Sequence, residues 1–150
     1  MARILIVDDE APARKRLHKL LSDKAIADLV TEVDTAEDGV QALEKLAAGA
    51  FDVLLLDIQM PGLDGFDVLE RIEPDNRPVV IFTTAFDEYA IRAFDANAVD
   101  YLLKPVPTDR LTQALQRAHK VMGQSEGQDE RLGKLLEWMD SQAMEHCLDP

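Results

Sequence analysis

Short apolar runs alternate with amphipathic stretches along most of this chain. Ile4–Val7, Val53–Leu56 and Val79–Phe82 are unbroken apolar runs, the signature of strands buried on both faces of a parallel sheet. Val53–Leu56 is the most hydrophobic of them and is expected at the sheet centre. Leu29–Val33 is interrupted by Thr31 and Glu32, which suits an edge strand, and Val99–Leu103 reads as a fifth strand. Between the runs, apolar residues recur at helical spacing. Ala11–Leu21 places Leu17, Leu20 and Leu21 on one face, with Pro12 tolerated in the first turn. Glu37–Ala48 reads as a helix through Val40, Leu43 and Leu46, closed by Gly49. Asp64–Ile72, Asp87–Phe94 and Thr108–Met122 supply three more helices, and Met60-Pro61-Gly62 is a turn. The alternation predicts a doubly wound, five-stranded parallel α/β sheet with helices on both faces.

The pattern changes after Met122. Residues 123–128 are Gly, Gln, Ser and Glu only and read as a linker, which leaves 1–122 as the main domain. Residues 129–150 read as a helical tail, or as the start of a truncated output region. Leu132, Leu135, Leu136, Met139 and Ala143 form one apolar stripe there, more in keeping with packing or a dimer contact than with a cofactor site.

Composition narrows the function. The chain has 150 residues, 47% of them hydrophobic, and a formal net charge of −13. Such an acidic chain is not expected to bind nucleic acid by itself. Cys147 alone forms no intrachain disulfide. No run reaches membrane-spanning length, the N-terminus does not read as a signal peptide, and a cytoplasmic location is the default expectation.

The polar residues that follow the apolar runs carry the chemistry. Asp8 and Asp9 follow the first run, Asp57 the third, Thr83 and Thr84 the fourth, Lys104 and Pro105 the fifth. In an open parallel sheet, function gathers at the carboxyl ends of the strands. Singly, each residue has an ordinary explanation: Asp8 or Asp9 as a helix cap, Asp57 as a turn residue, Thr84 as strand propensity, Lys104 as a solvated terminus. Jointly they bring three carboxylates, a hydroxyl and an ammonium to one edge. Carboxylate oxygens suit Mg²⁺, for which Mn²⁺ substitutes. A carboxylate is also a nucleophile toward phosphorus, and an ammonium neutralises the transferring oxygens. His18, His119 and His146 have no neighbouring ligands in the sequence and read as surface or interface residues. Neither a Gly-x-x-x-x-Gly-Lys loop nor a Gly-x-Gly-x-x-Gly loop after the first strand is present.

With Val7-Asp8-Asp9-Glu10, Leu56-Asp57-Ile58-Gln59-Met60-Pro61-Gly62-Leu63-Asp64-Gly65, Thr83-Thr84-Ala85 and Tyr101-Leu102-Leu103-Lys104-Pro105 in place, the chain resembles the receiver domain of bacterial two-component response regulators over residues 3–120. The run Thr84–Phe94, continuing through Ala98–Pro105, is similar to receivers of LytTR-type transcription regulators. The resemblance implies a flavodoxin-like receiver fold. It also implies Asp57 as phosphoacceptor, Asp9 as a direct Mg²⁺ ligand, Asp8 as a largely water-mediated one, and the Gln59 backbone carbonyl as the remaining protein ligand. Thr84 and Tyr101 would form a switch pair, Lys104 would contact the phosphoryl group, and the Lys104–Pro105 peptide would be cis. Gln59 and Phe86 occupy positions that in this family tune the lifetime of the acyl phosphate.

The function so implied is a phosphorylation-dependent signalling switch, the receiver part of a transcription regulator. Its partner is a sensor histidine kinase, a homodimer would form through the 87–94, 99–103 and 108–122 face, and DNA would be reached only through an output domain. A stand-alone receiver and a phosphorylation-independent interaction module are the alternatives. A haloacid-dehalogenase-like phosphatase also uses a strand-end Asp and Mg²⁺. It needs an acid two residues later, where this chain has Gln59, which transfers no proton. The protein is therefore not expected to be an enzyme, beyond phosphorylating and dephosphorylating itself.

Overall fold

A computed structural model describes residues 2–73 and 77–122. The expected linker over 123–128 and the tail over 129–150, with His146 and Cys147, lie outside the described residues. The five strands are β1 (Ala2–Val7), β2 (Val30–Ala36), β3 (Val53–Asp57), β4 (Val79–Thr84) and β5 (Asp100–Leu103). They form one parallel sheet in the order β2-β1-β3-β4-β5. β3 is central and wholly buried, and β2 is an edge strand with exposed Thr31 and Glu32, both as the hydropathy pattern predicts. β2 runs three residues beyond the expected end at Val33. The parallel ladder with β1, from Arg3 opposite Glu32 to Val7 opposite Ala36, carries the polar Asp34 and Thr35 into the strand.

Two hydrophobic clusters lie on opposite faces of the sheet. One joins Leu5, Val7, Leu54, Leu56, Val80 and Phe82 to the helices α3 (Gly39–Ala48), α4 (Gly65–Arg71) and α5 (Ala90–Asp95). The other joins Ile4, Ile6, Val53, Leu55, Ile81 and Leu102 to α1 (Ala11–Leu21), α2 (Lys24–Ala27) and α6 (Thr108–Met122). The alternation of side chains along each strand divides the residues in this way.

Three local features depart from the periodicity. α2 is a single turn, capped by the Asp23 carboxylate on the Ala25 N–H. α3 starts at Gly39 rather than Glu37, because Asp38 is its N-cap and accepts from the Gln41 N–H at 2.7 Å. Its buried side is Gly39 and Ala42, with Leu43 and Leu46 half-buried, while Val40 is 57% exposed. A β-carbon on Gly39 would stand 2.7 Å from Leu63 Cβ, so the α3 backbone itself packs closely at this point. The helix expected over Asp87–Phe94 begins as a 3₁₀ turn, Asp87–Tyr89, before α5.

Candidate functional site

The strand order reverses between β1 and β3, and in sheets of this order the crevice at the carboxyl ends of those strands is the ligand position. Asp8 and Asp9 follow β1 there, and Asp57 ends β3. Oxygens of the three carboxylates lie within 4.8 Å of one another. Asp8 and Asp57 are buried, and Asp9 is more accessible. Lys104, after β5, reaches back across β4 to place its Nζ 2.6 Å from Asp8 Oδ2 and 3.3 Å from Asp57 Oδ2. The Lys104–Pro105 peptide is cis.

Local bonds hold each piece. The Glu10 N–H donates to Asp8 Oδ1 at 3.0 Å, and Arg14 Nη1 on α1 donates to the Asp8 carbonyl at 2.7 Å. Arg16, also on α1, donates to the Val106 carbonyl at 2.9 Å and so ties the loop that carries Lys104 to the same helix. Gly62, at φ +79°, takes the position after Pro61 that a left-handed turn residue requires. Gly65 opens α4 so close to β3 that a β-carbon there would sit 2.7 Å from the Asp57 carbonyl oxygen.

The electrostatics are tense. Burial pushes the Asp57 carboxyl up to about 7, and the Asp8 charge adds to that rise. Lys104 opposes both without cancelling them. Burial alone would lower the Lys104 ammonium, but Asp8 and Asp57 together hold it above the usual lysine value, so it stays cationic. Asp8 Oδ2 is buried and, among the described residues, meets the Lys104 ion pair but no aligned hydrogen-bond donor. An all-oxygen cluster with excess negative charge and an under-satisfied oxygen fits a hard divalent cation.

Thr84, at the end of β4, is buried. Its Oγ1 accepts from the Phe86 N–H at 3.2 Å and keeps its own proton for another acceptor. Tyr101 is also buried, and its hydroxyl donates to the Phe86 carbonyl; burial pushes its pKa up to about 12. The Tyr101 ring thus already sits inward beneath the β4 loop. The cavity over Asp57 has a volume of about 560 Å³ and is lined by Asp57, Gln59, Thr84 and Lys104 on one side. Pro12, Ala13, Leu17, Phe86, Pro105 and Val106 make an apolar wall.

The structure therefore brings together Asp8, Asp9, Asp57, Thr84 and Lys104, with Gln59 at the rim and Tyr101 behind Thr84. His18 and His119 are exposed, on α1 and α6. Arg14, Arg16 and Tyr89 were missed. Tyr89 accepts a 2.8 Å hydrogen bond from Gln59 Nε2, a contact across two loops that no spacing announces. The arginines lie on α1 with ordinary helical neighbours, so their reach to Asp8 and Val106 has no sequence signal either.

Comparison with known proteins agrees with this geometry. Residues 4–116 match the family model described as the response regulator receiver domain. The transcriptional regulatory protein BtsR of Escherichia coli is 45% identical over 117 residues, which is 78% of this chain and 48% of that protein. An uncharacterized response regulatory protein of Vibrio cholerae is 41% identical over the same shares. The chain thus spans about half the length of the curated relatives it matches. Among solved structures, the response regulatory domain of protein mrkE from Klebsiella pneumoniae superposes with a TM-score of 0.69 at 30% identity, covering 82% of this chain and 99% of that one. The response regulator TrrA of Thermotoga maritima, in complex with Mg(2+)-BeF, gives a TM-score of 0.68 at 34% identity, with 79% and 99% covered. The matched span runs from within β1 through β5 and holds the whole acidic site, and the chain belongs to the response regulator receiver family.

Proposed function

We propose that this chain is a phosphorylation-dependent switch whose phosphoacceptor is Asp57, with a sensor histidine kinase as donor. One observation carries the assignment: of the three clustered acids, Asp57 is the one that ends the central strand inside the cavity, with Lys104 and Thr84 beside it. In the transfer, an Asp57 carboxylate oxygen bonds to phosphorus, the bond from phosphorus to the donor nitrogen breaks, and that electron pair stays with the donor histidine. Asp57 must be ionised to attack. Lys104 favours the ionised form and lies where it can neutralise the incoming oxygens.

Asp9, Asp57 and the Gln59 backbone carbonyl would hold Mg²⁺, with Asp8 acting largely through water. Mn²⁺ offers the same coordination. Bound there, the metal would lower the charge repulsion between Asp57 and a phosphoryl group. The Mg(2+)-BeF complex of TrrA, at 34% identity, supports this ligand class for the present chain.

Once the phosphoryl group is in place, Thr84 Oγ1 donates to it. That movement breaks the Phe86 N–H bond, and the Phe86 carbonyl is the group Tyr101 holds. A bond made in one state only shifts the balance between two conformations of the β4–α5 region. Relatives that are transcriptional regulators, with the similarity to LytTR-type receivers, support a receiver that governs a DNA-binding output. Beyond its own phosphorylation and dephosphorylation the chain then carries no catalysis. No helix among the described residues is long and apolar enough to cross a membrane, and a cytoplasmic location is proposed with the function.

Intact mass measured with acetyl phosphate and Mg²⁺ tests the assignment. The wild-type chain should gain one phosphoryl group, and Asp57→Ala should gain none. A mutant labelled at the wild-type rate would overturn it.

A further inference from the structure

We infer that Arg14 sets the fit of the acidic site for Mg²⁺ by holding the peptide unit that carries Asp9. The inference rests on the reading of Asp8, Asp9 and Asp57 as the metal site. Arg14 stands half-buried near the start of α1, and its Nη1 donates to the Asp8 carbonyl oxygen at 2.7 Å. That oxygen belongs to the peptide unit between Asp8 and Asp9. The unit is planar, so a donor fixed on its oxygen also fixes the Asp9 nitrogen and Cα. The Asp9 carboxyl carbon is two bonds beyond that Cα.

Asp9 has little else to hold it. The Asp8 N–H donates to the Ala36 carbonyl at 3.1 Å, its Oδ1 accepts from the Glu10 N–H at 3.0 Å, and its Oδ2 meets Lys104. Asp57 is still within the β3–β4 ladder, opposite Thr83, and is paired with Lys104 as well. The Asp9 carboxylate has neither a hydrogen bond nor an ion pair among the described residues. Its place relative to the other two acids is therefore set through the main chain, and Arg14 is the side chain that grips that main chain. A guanidinium on a carbonyl makes a charge-assisted bond, and α1 gives it a rigid base. Arg14 is a positioning residue, acting through Asp9.

Position and charge predict opposite outcomes when Arg14 is replaced. A guanidinium beside a cation site repels the cation, so by charge alone its loss would tighten every divalent ion. By position its loss frees Asp9 and weakens binding. The weakening should also depend on the ion. Mg²⁺ demands near-ideal octahedral geometry at short distances, whereas Ca²⁺ accepts longer bonds and a looser shell.

The experiment titrates the whole, unphosphorylated chain with Mg²⁺ and with Ca²⁺ by calorimetry, after thermal melting in chelating buffer has checked the fold. Arg14→Met keeps most of the stem and removes the donors. It should bind Mg²⁺ about tenfold more weakly, as loss of an outer-shell partner does, and Ca²⁺ less than about threefold more weakly. Arg14→Lys keeps the charge on a reach one bond shorter, and should show a smaller loss that again falls mainly on Mg²⁺. Should Arg14→Met be unfolded in chelating buffer, Arg14→Lys decides by the same ratio of the two ions. Unchanged or tighter Mg²⁺ binding overturns the inference, and so does an equal loss for both ions. A wild-type chain that binds neither ion removes the metal reading and this inference together, whereas wild-type Mg²⁺ binding with unaltered variants removes the inference alone.

Discussion

Asp57 is held against its own charge. Its carboxyl has an ordinary pKa of 3.8 in the unfolded chain and about 7 in the folded one, through burial first and the Asp8 charge second. Between those values the folded state binds more protons than the unfolded state, so without metal this group makes stability fall as pH rises from about 4 to about 7. The other shifted groups do not mask the effect. The Lys45 ammonium lowers the Asp34 pKa, a gain complete above the ordinary carboxylate range, and the raised Lys104 pKa acts only above its ordinary 10.5. Asp57→Asn should therefore melt higher than wild type at pH 8 in a chelating buffer, by on the order of 2 kcal/mol, with the difference gone near pH 4. Mg²⁺ should raise the wild-type melting temperature at pH 8 and leave that of Asp57→Asn nearly unchanged. Thermal unfolding at the two pH values checks this, and an asparagine variant no more stable than wild type at pH 8 would refute it. The acids, the threonine and the lysine were legible because each follows an apolar run. The bonds that organise them were not. Tyr89 on Gln59, Tyr101 on Phe86 and Arg14 on Asp8 depend on how loops fold back, which hydropathy does not encode.

Among the elements, periodicity located the five strands and the longer helices because each buries a full face. It failed where burial is made by backbone or by too few residues. α2 is one turn long, below any helical period. α3 turns Gly39 and Ala42 inward, so its largest apolar residue near the start, Val40, is left in solvent. The Asp87–Tyr89 turn reads in the sequence as part of one helix with α5 because no residue at the boundary interrupts the helical spacing, although the hydrogen-bonding pattern changes there. The junction of β3 and α4 is the tightest of these contacts and carries a prediction. Asp64 and Asp67 form a capping box at the start of α4, and the Gly65 N–H donates to the Ile58 carbonyl at 2.8 Å. In Gly65→Ala the new methyl would press on the Asp57 carbonyl at 2.7 Å and on Ile58 Cα at 3.0 Å, so main chain must move. The variant should lose about 2 kcal/mol in urea unfolding and label more slowly on Asp57. Wild-type stability together with wild-type labelling would show that the junction yields freely.

Taken whole, the molecule is an acidic body with one proposed self-association face. Ile91 is 72% exposed and Leu103 46% exposed, on the side formed by the 3₁₀ turn with α5, β5 and α6. That face lies next to Thr84 and Tyr101, so a phosphoryl group on Asp57, as proposed, would act on it at short range. We expect beryllofluoride with Mg²⁺ to shift the chain toward a dimer in sedimentation. The shift should grow with ionic strength, since two chains of net charge −13 repel at low salt. A monomer unchanged by beryllofluoride would argue against a phosphorylation-driven dimer while leaving Asp57 in place.

The sheet order described above also sets a clock. β3 is flanked on both sides and buried on both faces, so its amides are expected to exchange only through opening of the whole domain. β5 is a four-residue edge strand, and the loop after β4 is pinned by single bonds to Thr84 and Tyr101. The proposed nucleophile thus stands on the most enclosed strand, and the residues proposed to respond to it stand nearer the edge of the sheet. A phosphoryl group placed on Asp57 would therefore sit on a fixed support, with the elements that can rearrange around it at the rim.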